Sequence, residues 1–142
     1  MFKYNILTEE VKSDFAFEVI ADSISDLFRG AGIAMMMAMV DVEKLEAEKT
    51  WKFDLKSESL ELLLFDFLGE LIYLKDVDSV LFKDFEIVFT KEEKLSLKCS
   101  AQGSLIDYSK YEILTDVKAV TMHEFCFERR DEDWYCHIIV DL

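Results

Sequence analysis

The fold is decided by residues 14–39, which read DFAFEVIADSISDLFRGAGIAMMMAM. The first part alternates with a period of two, which is typical of a strand that buries one face. Ser23 then has the character of a helix N-cap, and apolar residues follow it at helical spacing to about Met39. Gly30 and Gly32 each cost this helix about 1 kcal/mol relative to alanine. We therefore expect close packing against a neighbouring element to compensate.

The rest of the chain contains one more helix and several further strands. The second helix begins near Ser59 and continues to about Lys75, with leucines along one face. The strand-like runs are 51–56, 85–90, 95–101, 117–123, 124–129 and 134–141, and the polar turn 131–133 joins the last two. The order strand, helix, strand, helix and then consecutive strands predicts an α+β fold. We expect one domain, 1–142, with two helices on a mixed or antiparallel sheet of about six to eight strands.

The composition limits which kinds of partner the protein can bind and indicates the cellular compartment in which it works. A formal net charge of −14 disfavours direct binding to nucleic acid and to anionic membranes. The hydrophobic content of 51% excludes intrinsic disorder. Three cysteines are an odd number, and the first 20 residues are charged and unlike a secretory signal. A cytoplasmic protein without a disulfide framework and without a membrane partner is the expectation.

The histidines and cysteines do not have the spacing of a zinc site. His123 and Cys126 are three positions apart, and Cys136 and His137 are adjacent. On strands an odd spacing places two side chains on opposite faces, so neither pair converges on a metal ion. Catalytic motifs such as a nucleophile elbow, a phosphate-binding loop or a dinucleotide fingerprint are absent from the sequence. Motifs alone therefore do not identify an enzyme.

Two aspartates border apolar strands at opposite ends of the chain. Asp14 precedes one strand, and Asp141 follows another, with Leu142 and its carboxylate directly after it. If the last strand ends beside Asp14, three carboxylates converge. Such a cluster must bind a hard cation, share a proton or pair with a base. Solvated, frayed chain ends are the alternative, and composition and spacing leave both open.

Four segments, taken in order, resemble the archease family over nearly the whole chain. Residues 118–123, KAVTMH, are similar to the family's KAVTYH motif, and residues 138–142, IIVDL, to its VIFDI terminus. Residues 59–85 are similar to its NELLYL…LLFSDF stretch. The first helix and the Met-Val-Asp that ends at Asp41 match its EELF…LMTD pattern.

The resemblance implies a function. Archeases activate RtcB-type RNA ligases, which join the halves of spliced tRNA, by promoting guanylylation and multiple turnover of the ligase. The expectation is therefore a protein cofactor of the ligase and not an enzyme in its own right. The ligase would be the partner, and this chain would not contact nucleic acid directly.

The resemblance also implies site residues. The family binds a divalent metal, calcium, through an aspartate near the N-terminus and the last two residues, and these positions fall on Asp14, Asp141 and Leu142. The family's functional lysine falls on Lys118. The other matching motif positions with polar side chains are Thr121, His123 and Asp41.

One departure from the family pattern bears on the metal. Where the family has HTADVG around the metal-binding aspartate, residues 11–16 read VKSDFA. Lys12 would lie on the same strand face as Asp14, where its ammonium would compete with a cation.

Two other functions are compatible with the same acidic residues. One is a metal-dependent hydrolase of small phosphoesters, although the sequence offers no general base or second ligand set. The other is an acidic interaction module that binds a basic partner by charge alone, without metal chemistry.

Overall fold

The described part of the chain, residues 1–7 and 14–142 of this computed structural model, forms two α-helices and eight β-strands. The helices are α1 (Ile24–Met36) and α2 (Leu60–Asp78), and a short 3-10 helix covers Val42–Lys44. The strands are β1 (Phe2–Ile6), β2 (Asp14–Ala21), β3 (Lys49–Ser57), β4 (Val80–Lys91), β5 (Leu95–Leu105), β6 (Ala119–Val120), β7 (Cys126–Arg130) and β8 (Asp133–Asp141).

The strands form two antiparallel sheets. In the five-stranded sheet, β8 lies beside β2 along one edge, and β7 and β6 pair with successive parts of its other edge. The second sheet has the order β3-β5-β4. The predicted α+β architecture, two helices packed on antiparallel β-structure, is confirmed. The strands are divided between two sheets, whereas the sequence predicted one.

Helix α1 packs tightly against both sheets, and its two glycines make this possible. A Cβ atom on Gly30 would lie 2.6 Å from the ring of Phe2 and 2.9 Å from Val19, both in the five-stranded sheet. A Cβ atom on Gly32 would lie 2.6 Å from the ring of Phe85 in the other sheet. The expected close packing is confirmed, because any side chain at these positions would push the helix away from the sheets.

The predicted starts of both helices are confirmed, but their predicted ends are wrong. The hydroxyl groups of Ser23 and Ser59 each accept a backbone N–H of the first turn, at 3.1 Å. Helix α1 ends at Met36, before the predicted Met39, because the following turns tighten to i→i−3 hydrogen bonds. Helix α2 passes the predicted end and stops at Ser79, whose φ of 54° is left-handed.

The predicted strand over 117–123 is also wrong in its bounds, because only Ala119–Val120 pair as a strand. The carbonyl of Val117 is occupied by a lysine side chain, and beyond Thr121 the chain leaves the sheet in a turn. In residues 1–7 and 14–142, neither helix combines the length and the hydropathy that crossing a bilayer requires.

Candidate functional site

The first residue of β2 and the last residue of β8 face each other. Asp14 and Asp141 are direct partners in the antiparallel register, so their side chains leave the same face of the sheet. Phe15 and Val140, the next pair, point to the opposite face, into the core. The hydrophobic pattern of both strands therefore directs the two carboxylates outward at one end of the sheet.

The end of the chain is held in place. Asp141 pairs with Asp14 on one side and with Ala119 of β6 on the other. The side chain of Leu142 packs against the core. A frayed end, the alternative raised by the sequence, is wrong for this strand, because it is hydrogen-bonded on both edges up to Asp141.

The two facing carboxylates have no cationic partner in the described part of the chain. Neither Asp14 nor Asp141 makes a side-chain hydrogen bond or an ion pair with any described residue. Two like charges directly opposite each other on a sheet repel. Together with the carboxyl group of Leu142, the residue that follows Asp141 in the chain, they offer only oxygen ligands, which is the donor chemistry of calcium, magnesium and manganese.

These oxygen ligands are too few to form a complete metal site. Calcium takes about six to eight oxygen ligands, so water or a partner would have to complete the shell. Among residues 1–7 and 14–142, no three His, Cys, Asp or Glu side chains converge as metal ligands. Lys12, the predicted competitor for the cation, lies outside the described residues.

Lys118 joins this end of the sheet through its backbone. Its N–H donates to the carbonyl of Asp141 at 2.8 Å, directly before β6 begins. Its side chain is exposed, and within the described structure its ammonium forms no ion pair. The structure thus brings Asp14, Asp141, Leu142 and Lys118 to one end of the five-stranded sheet, and within the described residues neither the two carboxylates nor the ammonium forms an ion pair.

Thr121 and His123 occupy different positions in the same segment. The N–H and the hydroxyl of Thr121 both donate to the carbonyl of Ile139, each at 3.0 Å, so Thr121 fastens β6 to β8. His123 is exposed in the turn that follows, where its ring contacts no described polar group. Thr121 therefore supports this end of the sheet structurally, and His123 is exposed on the surface beside it.

Asp41 does not belong to this group. It caps the 3-10 helix, accepting the N–H of Glu43 at 3.2 Å, and it lines a separate cavity of about 340 Å³ with Lys44 and Lys110. In the described residues no hydrogen bond or ion pair connects it to Asp14 or Asp141.

Sequence reasoning missed one residue near the site, Lys75 on α2. Its ammonium is buried and contacts the carboxylates of Asp76, at 2.7 Å, and of Asp116, and it donates to the carbonyl of Val117 at 2.9 Å. Burial alone would lower the pKa of Lys75, but the two carboxylates outweigh it and the pKa is raised. The signal in the sequence was a lysine at the helix position where the leucine face predicts a core residue.

The fold and the facing carboxylates define a small α+β protein that presents an acidic site at the joined ends of two strands. The sequence profile of the Archease protein family matches residues 4–142. This chain therefore belongs to the archease family.

Individual relatives agree with this assignment over nearly their full lengths. The protein archease of Pyrococcus abyssi is 33% identical over 135 residues, covering 94% of this chain and 95% of the relative. The archease of Methanopyrus kandleri is 34% identical over 137 residues, covering 94% and 98%. The solution structure of Methanobacterium thermoautotrophicum protein 1598 superposes with a TM-score of 0.83 at 29% identity, covering 99% of this chain and 98% of that one.

Proposed function

We propose that this chain is a protein activator of an RtcB-type RNA ligase, which promotes guanylylation of the ligase and its multiple turnover. The proposal uses a divalent cation, calcium, held by Asp14, Asp141 and Leu142, and it rests on the family membership. The observation that carries it is the register pairing of two aspartates that have no cationic partner among the described residues.

Each residue of the site has a distinct task in this proposal. Asp14 and Asp141 would bind the ion from adjacent strands. Because the sheet already fixes their spacing, little entropy is lost in bringing them together when the ion binds. A bound cation would supply positive charge against phosphate oxygens. The ammonium of Lys118, which is exposed, would donate to a phosphate oxygen of the nucleotide or to a carboxylate of the ligase. His123, exposed in the neighbouring turn, would meet the ligase surface.

The net charge of −14 fits a protein that acts on the ligase and leaves the RNA to it. A strongly acidic surface raises the local concentration of cations and attracts a basic partner. The same surface repels an RNA backbone. In this proposal the ligase holds the RNA, and the acidic chain approaches the nucleotide site only with its cation-bearing end.

Guanylylation of the ligase, followed with labelled GTP, tests the proposal. Asp14→Ala, Asp141→Ala and Lys118→Ala are each expected to abolish most of the activation. Asp54→Ala is the matched control, because Asp54 is an exposed aspartate in the other sheet, opposite Lys98. Full activity of all three site variants would overturn the assignment of the site.

Calorimetric titration of the chelated protein with calcium and with manganese tests the metal separately. Binding by the wild type and its loss in Asp14→Ala are expected. Two results would favour other functions: turnover of model phosphoesters without a ligase would indicate a hydrolase, and salt-sensitive binding that ignores all three variants would indicate an acidic interaction module.

A further inference from the structure

A buried lysine lies behind the proposed site. Lys75 is 4% exposed and continues the core-facing stripe of α2 after Leu68 and Leu71. Its three ammonium hydrogens have three oxygen partners: the carboxylates of Asp76 and Asp116 and the carbonyl of Val117. The ammonium is therefore fully hydrogen-bonded, which is the condition under which a charge is tolerated in a core.

The bond to Val117 reaches the peptide group that leads into Lys118. The carbonyl of this peptide accepts from Lys75 at 2.9 Å, and its N–H donates to the carbonyl of Asp141 at 2.8 Å. A peptide group is planar, so fixing its oxygen on one side and its nitrogen on the other fixes the orientation of the plane. The direction in which the chain enters Lys118 follows from these two bonds.

The surrounding segment is held to the rest of the fold by isolated contacts, among them the N–H of Ile106 on the carbonyl of Ser79 and the N–H of Leu114 on the carbonyl of Met39. Between the end of β5 at Leu105 and the start of β6 at Ala119, the chain forms no helix or strand. The side chain of Val117 is fully buried, which anchors this point of the segment in the core. The carbonyl of Val117 would have no water to bond to, so without Lys75 its hydrogen bond would be lost.

Stability alone does not favour a lysine at this position. Replacing a buried charge network with an apolar side chain of similar volume is often neutral or stabilising. A leucine or methionine would continue the stripe of α2 without the cost of desolvating an ammonium. The hydrogen bond from Lys75 to the carbonyl of Val117 therefore explains a lysine here better than core packing does.

We propose that Lys75 is a positioning residue of the activation site, which holds the Val117–Lys118 peptide so that Lys118 stands beside Asp141. This inference rests on the proposed function, because the position of Lys118 matters only if its ammonium acts. Asp76 and Asp116, both exposed at the rim, keep the lysine charged and aimed at the carbonyl.

Lys75→Met tests the inference with two readouts. The first is hydrogen exchange of the Lys118 amide by NMR, which we expect to accelerate while amides of β2 stay protected. The second is guanylylation of the ligase, which we expect to fall roughly tenfold to a hundredfold, as misplaced functional groups do. Lys75→Arg keeps a cationic donor for the carbonyl and is expected to recover part of the activation.

Leu71→Ala is the matched control, because it removes buried volume from the same face of α2 and leaves the lysine contacts intact. At a temperature where all variants are folded, it should activate like the wild type. Equal losses in Leu71→Ala and Lys75→Met, or unchanged activation and unchanged Lys118 exchange in Lys75→Met, would overturn the inference. Full activity of Asp14→Ala, Asp141→Ala and Lys118→Ala together would overturn the proposed site, whereas inactive Lys118→Ala with active Lys75→Met would overturn the positioning role alone.

Discussion

Asp14→Asn is expected to change the stability of the protein in opposite directions without and with calcium. In the chelated protein the substitution removes the repulsion between two carboxylates that are direct partners across β2 and β8. Like charges in this arrangement cost about 0.2–1 kcal/mol, with exposed pairs at the lower end. The free energy of unfolding should therefore rise by about 0.5 kcal/mol, which corresponds to about 2 °C in Tm for a chain of this size.

With calcium the order reverses. A ligand that binds only the folded state at a hundred times its Kd stabilises it by about 2.7 kcal/mol. The wild type should gain this amount, and Asp14→Asn should gain much less because one anionic ligand is lost. The variant should therefore be more stable than the wild type in chelator and less stable in calcium. Urea unfolding followed by tryptophan fluorescence measures both free energies.

Asp54→Asn provides the control for this reversal. Asp54 of β3 is the direct partner of Lys98 of β5, so neutralising it removes an attraction of similar size. Its stability should fall slightly in chelator and in calcium alike. If Asp14→Asn is less stable than the wild type in chelator, or gains as much from calcium as the wild type does, the carboxylate pair is not the cation site.

Further predictions concern packing, protonation and thiol reactivity. Gly32→Ala should lower the free energy of unfolding by about 1–3 kcal/mol, because the new Cβ atom would lie 2.6 Å from a phenylalanine ring. Gly69→Ala should raise it by up to about 1 kcal/mol, because no atom lies within 4 Å of the new Cβ and alanine favours the helix. Thermal unfolding measures both changes. The hydroxyl of Tyr135 donates to the Glu18 carboxylate at 2.7 Å and lowers the pKa of Glu18 from 4.5. That stabilisation is present above pH 4.5 and is lost as the pH falls through the lowered pKa. Tyr135→Phe should thus cost about 1 kcal/mol at neutral pH and less in acid, by urea unfolding at several pH values. A thiol reagent should modify Cys126 in the native state before the two buried cysteines, whose pKa values are raised to about 12 by burial.

The sequence predicted the features that strong local patterns determine. The two serine caps marked both helix starts, and the alternation in β2 and β8 set which face of each strand is buried. That alternation places Asp14 and Asp141 on the outer face. The sequence could not predict that the two aspartates pair with each other, because the register between strands so far apart in the chain depends on the whole sheet.

The features that the sequence did not predict depend on contacts between distant segments. The strand expected over 117–123 is reduced to Ala119–Val120, since the carbonyl of Val117 accepts from Lys75 and the chain turns away from the sheet beyond Thr121. Lys75 and Asp116 are 41 residues apart, and Asp116 lies in a segment without periodicity. A lysine on a leucine face was visible in the sequence, but its partner could not be identified from spacing alone.

The position of the proposed site at one end of the β2–β8 pair would couple cation binding to folding. Asp14 and Asp141 become neighbours only when β2 and β8 are paired over their whole length, so the unfolded chain has no equivalent site. A cation that binds there must stabilise this strand pairing, and any change that loosens the pairing must lower the affinity for the cation. Lys118 is bound to the same strand end through Asp141 and to α2 through the peptide held by Lys75. The total charge does not single out any of the 30 acidic residues. These two aspartates differ from the others because they face each other across two strands and have no ion-pair partner in the described structure.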